Sequence, residues 1–401
     1  MAAVPCGHLC RPIHAIHPNF PRPAAGKPAR ALPNAQHRPS RERKPALGAG
    51  RISKWALRSS SSSVEQSPPA PAGPGVVDAE GLVKFLYEDL PHLFDEQGID
   101  RSMYDDRVRF RDPITKHDTI DGYLFNIGLL KVLFRPDFQL HHVRQTGPYE
   151  ITTRWTMVMR FALLPWKPEL VFTGISIMAV NPQTQKFCSH VDVWDSIEKN
   201  EYFSLEGLWD VLQQLRIYKT PDLETPKYQI LKRTATYEMF SWLQLRKYEP
   251  FVVAETKGDK LSGSSGFKDV AGYIFGKNSS MEKIPMTTPV FTQAHDDKLS
   301  EVSIQIVLPM NKDFSNLPVP SVEAVSLRKV DGGIMAATKF SGKPTEELVR
   351  KKEKELQSAL LKDGLEPQQG CLLARYNDPQ QTWSCIMRSE VLIWLGEFTL
   401  E

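Results

Sequence analysis

The sequence contains few cysteines, and their number and spacing do not suit a disulfide framework. Five occur in 401 residues, and only Cys188, Cys371 and Cys385 lie beyond the first 60. An odd, sparse set argues against a fold held together by disulfides. The sequence therefore predicts domains stabilised by ordinary hydrophobic cores.

Long apolar runs and the common catalytic motifs are also missing. No stretch approaches ~18 consecutive apolar residues, so the sequence predicts no transmembrane helix. It contains no glycine-rich phosphate loop, no serine nucleophile elbow and no His-Glu-x-x-His zinc motif. The glycines and serines of residues 258–266 match neither phosphate motif and indicate a loop before a helix.

Acidic residues are almost absent from the first 60 residues. Eleven Lys or Arg stand there against one acidic residue, Glu42, which gives this stretch a charge of about +10. Since the whole chain carries +3, the remainder carries about −7. A basic, acid-poor segment with the serine run Ser59–Ser63 is typical of an organelle transit peptide.

Residues 1–60 are therefore predicted to be a disordered chloroplast transit peptide. Their proline and serine content favours a chloroplast over a mitochondrion, and no second hydrophobic signal follows, which favours the stroma over the lumen. The alternatives are a basic tail that binds nucleic acid and a plain disordered linker. The acidic remainder of the chain argues against nucleic acid as a partner.

The rest of the chain divides into two predicted α+β domains. Residues 61–75 are rich in Pro and Gly and predict a flexible linker. Residues 76–217 contain two helix patterns and then a period of two, with Trp155 and Arg154 on opposite faces, which predicts a half-buried antiparallel strand. This region is predicted to be a cone of helices and a curved antiparallel sheet.

A polar linker with two prolines at 218–226 precedes the second domain, residues 227–401. Its predicted elements form two similar halves, each a strand pair, a helix and another strand pair. The helices are expected at about 266–275 and 345–361, and one strand at 382–387.

The second domain resembles the SOUL haem-binding family, in its chloroplast two-domain plant form. The resemblance rests on five segments that span the domain in order: Tyr228–Tyr237, Arg246–Glu255, Tyr273–Asn278, Ile284–Val290 and Arg388–Val391. It implies a distorted antiparallel β-barrel with two flanking helices and an apolar surface for haem or a related porphyrin. No Cys-x-x-Cys-His motif occurs, so the haem is expected to be bound non-covalently.

The same resemblance makes the helix at 266–275 the expected haem-facing element. A porphyrin is a flat apolar plate whose burial stabilises by roughly 25 cal/mol per Å², and cations are expected near its carboxylates. The predicted haem-binding residues are Phe267, Lys268, Val270, Ala271, Ile274 and Lys277. Alternatively, these apolar side chains pack on the sheet. The possible weak iron ligands are His295, Tyr273, Met281 and Met286.

Residues 76–217 resemble the nuclear-transport-factor-2-like superfamily, in its uncharacterised plant and cyanobacterial branch, on Tyr104–Pro113 and Val191–Trp194. The resemblance implies a cone-shaped pocket lined by Tyr104, Asp106, Asp112, His190 and Asp192. Some relatives use such an Asp/His pair as general base and acid, but most bind or dimerise without catalysis. Asp112 before Pro113 is also a good turn residue.

The sequence departs from the SOUL pattern at Phe240–Leu245, six residues that intervene where the family runs on directly. One hypothesis is that a shifted splice acceptor produces the insert. If the insert belongs to the protein, it falls within a strand pattern, and the strand is expected to bulge out as a loop with an exposed Trp242.

The sequence as a whole predicts a non-catalytic plastid haem or tetrapyrrole buffer or carrier. Its expected partner is a plastid haem-handling enzyme, and peripheral membrane or plastoglobule association is compatible with the sequence. The alternatives are an interaction scaffold with residual haem affinity and an enzyme centred in the N-terminal pocket.

Overall fold

The computed structural model describes residues 77–235, 242–296, 301–396 and 398–400. The predicted transit peptide (1–60) and the Pro/Gly linker (61–75) lie outside these residues. Two β-sheets with five α-helices make up the described chain, and the α+β prediction is confirmed. Within the described residues, no helix is long and apolar enough to cross a membrane.

The N-terminal domain combines three helices with a six-stranded sheet in the order β2-β1-β6-β5-β4-β3. Its helices are α1 (Ala79–Asp89), α2 (Ile120–Leu133) and α3 (Leu205–Gln214). Its strands are β1 (Tyr104–Arg111), β2 (Lys116–His117), β3 (Phe134–Gly147), β4 (Glu150–Phe161), β5 (Glu169–Val180) and β6 (Phe187–Trp194). The sheet is antiparallel except for β1 and β6, which pair in parallel.

Capping side chains mark where the N-terminal helices begin. The side chains of Asp78, Thr119 and Ser204 each accept a hydrogen bond from a backbone N–H in the first turn of α1, α2 and α3. Leu86, Tyr104 and other side chains of α1, α2 and the sheet form one buried cluster. The helices therefore lie against the sheet and enclose the core of the domain.

The C-terminal domain is a nine-stranded, entirely antiparallel curled sheet with two helices. Its strands are β7 (Tyr228–Ala235), β8 (Trp242–Tyr248), β9 (Phe251–Lys257), β10 (Val290–Ala294), β11 (Val302–Val307), β12 (Ser326–Val330), β13 (Gly333–Phe340), β14 (Cys371–Arg375) and β15 (Ser389–Trp394). Its helices are α4 (Phe267–Ile274) and α5 (Glu346–Lys362). The strand order is β12-β9-β11-β10-β14-β15-β13-β8-β7. Helix α4 contacts β9 and β11, whereas α5 contacts β13 and β15.

Residues 242–245 of the insert do not bulge out as a loop, and for these four residues the prediction from the sequence is wrong. Trp242, Leu243, Gln244 and Leu245 form the first half of β8, which pairs with β7 on one side and β13 on the other. Leu243 and Leu245 are buried, whereas Trp242 and Gln244 are half-buried, because successive strand residues point to opposite faces. The irregularity lies in β7 instead, between Ile230 and Lys232. Phe240 and Ser241 lie outside the described residues.

A second expectation also needs correction: residues 382–387 form no strand. The segment contains a single turn of 3-10 helix, Ser384–Ile386.

The edge of the C-terminal sheet is covered by the N-terminal domain. Strand β7 is the last strand of its sheet, and the hydroxyl of Thr156 on β4 donates to the carbonyl oxygen of Ile230 at 2.7 Å. The backbone N–H of Arg233 donates to the hydroxyl of Thr173 on β5 at 2.8 Å. Side chains of one sheet thus satisfy edge groups that would otherwise be free to pair with another chain.

Candidate functional site

Helix α4 turns the apolar face predicted from the sequence toward the sheet. It begins after Gly266, whose φ of +84° is a conformation that glycine adopts readily. Val270, Ala271 and Ile274 are buried in one cluster with side chains of β9 and β11. These three predicted haem-facing residues therefore fill the core, and a ligand lying on α4 would meet other side chains.

The outer side of this region carries exposed apolar groups. Phe275, Met281 and Val319 have exposed fractions of 62%, 82% and 68%. The loop that holds Val319 lies against the segment after α4, because the N–H of Ser279 donates to the Val319 carbonyl at 2.8 Å and the N–H of Val319 to the Ser279 hydroxyl at 3.0 Å. Together with Lys277, these three residues form what we call the α4 surface.

The backbone at Met281 and the position of Lys277 shape this surface. Met281 has a φ of +50°, which is uncommon for a residue with a side chain and is often found at functional sites. Lys277 folds back over the helix, and a Cβ added to Gly272 would lie 2.9 Å from its Cδ. Among the other predicted residues, Phe267 is half-buried and Lys268 is exposed.

The possible iron ligands lie in different environments. The Tyr273 hydroxyl donates to the Pro318 carbonyl at 2.9 Å, and burial raises the pKa of Tyr273 to about 12, so this side chain has a structural role. His295 lies within 3.2 Å of the Ser303 hydroxyl, and Met286 packs against the core beneath α4. Met281 is the possible ligand whose sulfur-containing side chain is exposed. Among the described residues, no group of three or more His, Cys, Asp or Glu could hold a metal ion.

The residues present fit a flat apolar ligand with acidic edges. Phe275, Met281 and Val319 offer apolar contact, and the ammonium groups of Lys277, Lys268 and Lys283 stand exposed in the same stretch of chain. A haem held here would rest on apolar contact and charge attraction, with the thioether of Met281 as its available side-chain donor.

In the N-terminal domain, His190 and Asp192 meet in a buried chain of hydrogen bonds. His190 Nε2 lies 2.9 Å from Asp192 Oδ1, and the same oxygen accepts from the hydroxyl of Ser176 at 2.6 Å. The indole of Trp155 in turn donates to Ser176 at 2.8 Å. His190 is only 4% exposed, so this chain of polar groups lies within the core.

Aromatic rings fill the space beside this chain of polar groups. The ring of Phe110 stacks on Tyr123 with centroids 4.6 Å apart, and both rings meet His190 edge-on. Tyr104 is fully buried, and its hydroxyl, like Nδ1 of His190, has no hydrogen-bond partner among the described residues. The geometry favours a packed core with polar members over an open pocket.

The two remaining cone residues have local roles. Asp112 accepts from the N–H of Ile114 and the hydroxyl of Thr115, both at 2.7 Å, which closes the turn after β1. Burial raises the pKa of the Asp112 carboxyl. Asp106 points outward and stands 3.9 Å from Arg101.

Phe275 and Val319 are candidate ligand contacts that the sequence did not single out. Phe275 continues the apolar pattern of α4, and Val319 stands between two prolines in a loop. The packing of that loop against Tyr273 and Ser279 places Val319 beside the end of α4.

Comparison with known proteins gives two family matches. Residues 223–394 match the family described as SOUL heme-binding protein. Residues 80–190 match an uncharacterized conserved protein family, DUF2358. No curated protein is similar enough to the chain to be matched.

Several solved structures resemble parts of the chain. A hydrolase from Listeria innocua has 13% identity over 38% of this chain and 91% of its own, with a TM-score of 0.29. An NTF2-like protein of unknown function from Exiguobacterium has 17% identity over 24% of this chain and 80% of its own, with a TM-score of 0.21. A putative SnoaL-like polyketide cyclase from Shewanella denitrificans has 19% identity over 28% of this chain and 90% of its own, with a TM-score of 0.24. At these TM-scores the likenesses carry no argument about function.

Proposed function

We propose that the chain is a non-catalytic haem or tetrapyrrole buffer and carrier of the plastid. The proposal starts from residues 223–394, which form a domain of the SOUL heme-binding family. The observation that carries this proposal is the α4 surface, where Phe275, Met281 and Val319 expose apolar area beside Lys277. Such exposed apolar clusters commonly mark a binding site.

The physical role would be to keep an insoluble plate dispersed and to release it. Covering one face of a porphyrin with apolar side chains stabilises the complex by roughly 25 cal/mol per Å² of apolar area removed from water. A surface site without a strong axial ligand exchanges its ligand readily. This suits delivery of the ligand to a haem-handling enzyme, which we propose as the partner.

The plastid location is supported by the composition of residues 1–60, which are basic and acid-poor. Incubating the full chain with isolated chloroplasts tests it: import with removal of an N-terminal segment would support the proposal. Exclusion from chloroplasts would contradict the location while leaving haem binding open.

Titration of the full chain with haem tests the binding site. We expect a shifted Soret band and quenched tryptophan fluorescence, and Phe275→Ser with Met281→Ser should raise the Kd about tenfold or more. Leu361→Ser is the matched control, because Leu361 is an exposed apolar residue of α5, which packs on other strands. A Soret band that stays like that of free haem would refute binding.

An interaction scaffold remains the second candidate. Leu205 and Leu212, seven positions apart on α3, are both exposed apolar side chains, as a protein-binding helix would have. Recovery of the same plastid partners with and without haem, and their loss in Leu205→Ser with Leu212→Ser, would favour this function.

A further inference from the structure

A cleft of about 730 Å³ lies between the two domains, within the size range of small-molecule sites. The N-terminal domain contributes Arg160 near the end of β4 and Lys167 of the β4–β5 connection. The segment that joins the domains contributes Arg216 and Lys219, and the C-terminal domain contributes Lys339 of β13. The cleft therefore exists only where both domains and their connection meet.

The walls of the cleft carry a strong excess of positive charge. Eight Lys and Arg side chains line it, against two carboxylates, Glu169 and Asp222. Behind the wall, Asp210 is paired with Arg233, and Glu390 is paired with two further arginines of the wall. Counting all four carboxylates leaves about four positive charges unbalanced.

Four of the basic side chains form no ion pair with any described carboxylate: Lys167, Arg216, Lys219 and Lys339. The guanidinium of Arg216 donates to the hydroxyl of Ser341 at 2.8 Å. The ammonium of Lys339 lies over the ring of Tyr218, 4.8 Å from its centroid. Cations gathered in one concave wall without counter-ions attract a ligand that supplies the missing charge.

Lys339 differs from the other three because it lies within a strand, β13. Its side chain is open to the solvent of the cleft, yet the two domains surround it. Burial, reinforced by the charge of Arg388, lowers its pKa to about 8. The ammonium form still predominates at neutral pH, although the surroundings disfavour it. An anion beside it would relieve this cost.

We propose that the interdomain cleft binds a compact polyanion carrying clustered phosphate or carboxylate groups, with Lys339 and Arg216 as its principal contacts. The polar, cation-rich walls fit such a ligand better than they fit a porphyrin, whose surface is mainly apolar. Because both domains supply the cations, the bound ligand would also stabilise their contact. The site is separate from the α4 surface.

Calorimetric titration of the full chain at pH 7 and low salt tests the proposal, with pyrophosphate and citrate as probes. At least one probe should bind saturably, and Lys339→Met should raise its Kd about tenfold, the usual scale for one lost charge-assisted hydrogen bond. Lys339→Arg should keep binding within about threefold. Preference for pyrophosphate would assign a phosphate ligand, and preference for citrate a carboxylate ligand.

Lys247→Met is the control, since Lys247 is exposed on β8 and does not line the cleft. It removes the same charge and should change the Kd less than about threefold. Arg216→Gln gives an independent test at an exposed residue outside the strands. Absence of saturable binding by both probes, or an equal loss in Lys247→Met, would overturn the proposal, whatever the outcome of haem titration.

Discussion

Arg233 of β7 and Asp210 of α3 form a buried, two-pronged ion pair that joins the two domains. The two guanidinium nitrogens donate to the two carboxylate oxygens at 2.9 and 2.7 Å, and both side chains are almost fully buried. Ser196 donates to the same carboxylate at 2.7 Å. The indole ring of Trp242 lies 4.1 Å from the Arg233 guanidinium. The first residue of β8 thus helps to cover the pair.

Breaking this pair should destabilise the protein strongly. Asp210→Asn leaves the guanidinium of Arg233 buried without its counter-charge, which costs about 3–5 kcal/mol. Urea unfolding at pH 7 measures the change. Arg160→Gln, which removes an exposed pair with Glu169 at 3.5 Å, is the control and should cost no more than about 1 kcal/mol. Equal losses in both variants would contradict a structural role for the buried pair.

Because of Glu390, the free energy of unfolding should decrease as the pH is lowered. Burial alone would raise its pKa, but the guanidinium groups of Arg246 and Arg388 outweigh burial and hold the pKa well below its usual 4.5. A carboxyl group with a lowered pKa stabilises the fold above its usual pKa, and this stabilisation is lost as pH falls further.

Glu390→Gln measures this contribution. The substitution should lower the free energy of unfolding by about 3–5 kcal/mol at pH 7. Below pH 4.5, the gap in free energy of unfolding between the variant and the wild type should narrow by about 1.4 kcal/mol per pH unit. Urea unfolding at pH 7, 4.5 and 3.5 gives the gap at each pH. A gap that stays constant would show that the charge of Glu390 is not what matters.

Leu243 should behave as a core residue. It is 2% exposed, and Leu243→Ala should cost about 2–5 kcal/mol because it leaves a cavity in the sheet core. Lys247→Ala on the same strand should cost less than about 0.5 kcal/mol. If Leu243→Ala were as mild as Lys247→Ala, β8 would not be an integral strand.

Lys339 should reduce stability at neutral pH. Since its pKa falls to about 8 from a usual 10.5, the folded state disfavours the charged form below pH 8, and this cost vanishes above 10.5. Arg388 and Arg246 lower the pKa further, whereas Glu390 and Glu169 oppose them. Because Lys339 is exposed to the solvent of the cleft, screening reduces this cost, so Lys339→Met should raise the urea midpoint at pH 7 only slightly, and the gain should shrink between pH 8 and 10.5. A lower midpoint at pH 7 would contradict this.

Local sequence patterns predicted those helices and strands in which buried positions recur at a regular spacing. The alternation around Trp155 predicted β4, and the spacing in α1 and α2 predicted two helices, because these periods reflect one buried face. The same rule applies to Leu243, Gln244 and Leu245, which alternate as a strand should. The family comparison suggested a bulge there, but the residues themselves follow the strand pattern.

The sites depend on contacts that no local pattern shows. Val270, Ala271 and Ile274 have the apolar spacing of a binding face and of a packing face alike, and only the sheet beneath α4 distinguishes the two. Lys339 lies more than 100 residues from Arg216 along the sequence. Their meeting in one cleft results from the docking of two sheets.

The most direct test of the carrier function is transfer of intact haem. The full chain, loaded with haem, is mixed with apomyoglobin in the presence of oxygen and a reductant, and the haem in each protein is quantified over time. The carrier account predicts that the haem passes to the acceptor chemically unchanged, at a rate that does not depend on the acceptor concentration. Loss of haem with formation of a degradation product would contradict a non-catalytic role, and failure of the chain to load haem would contradict the carrier function itself.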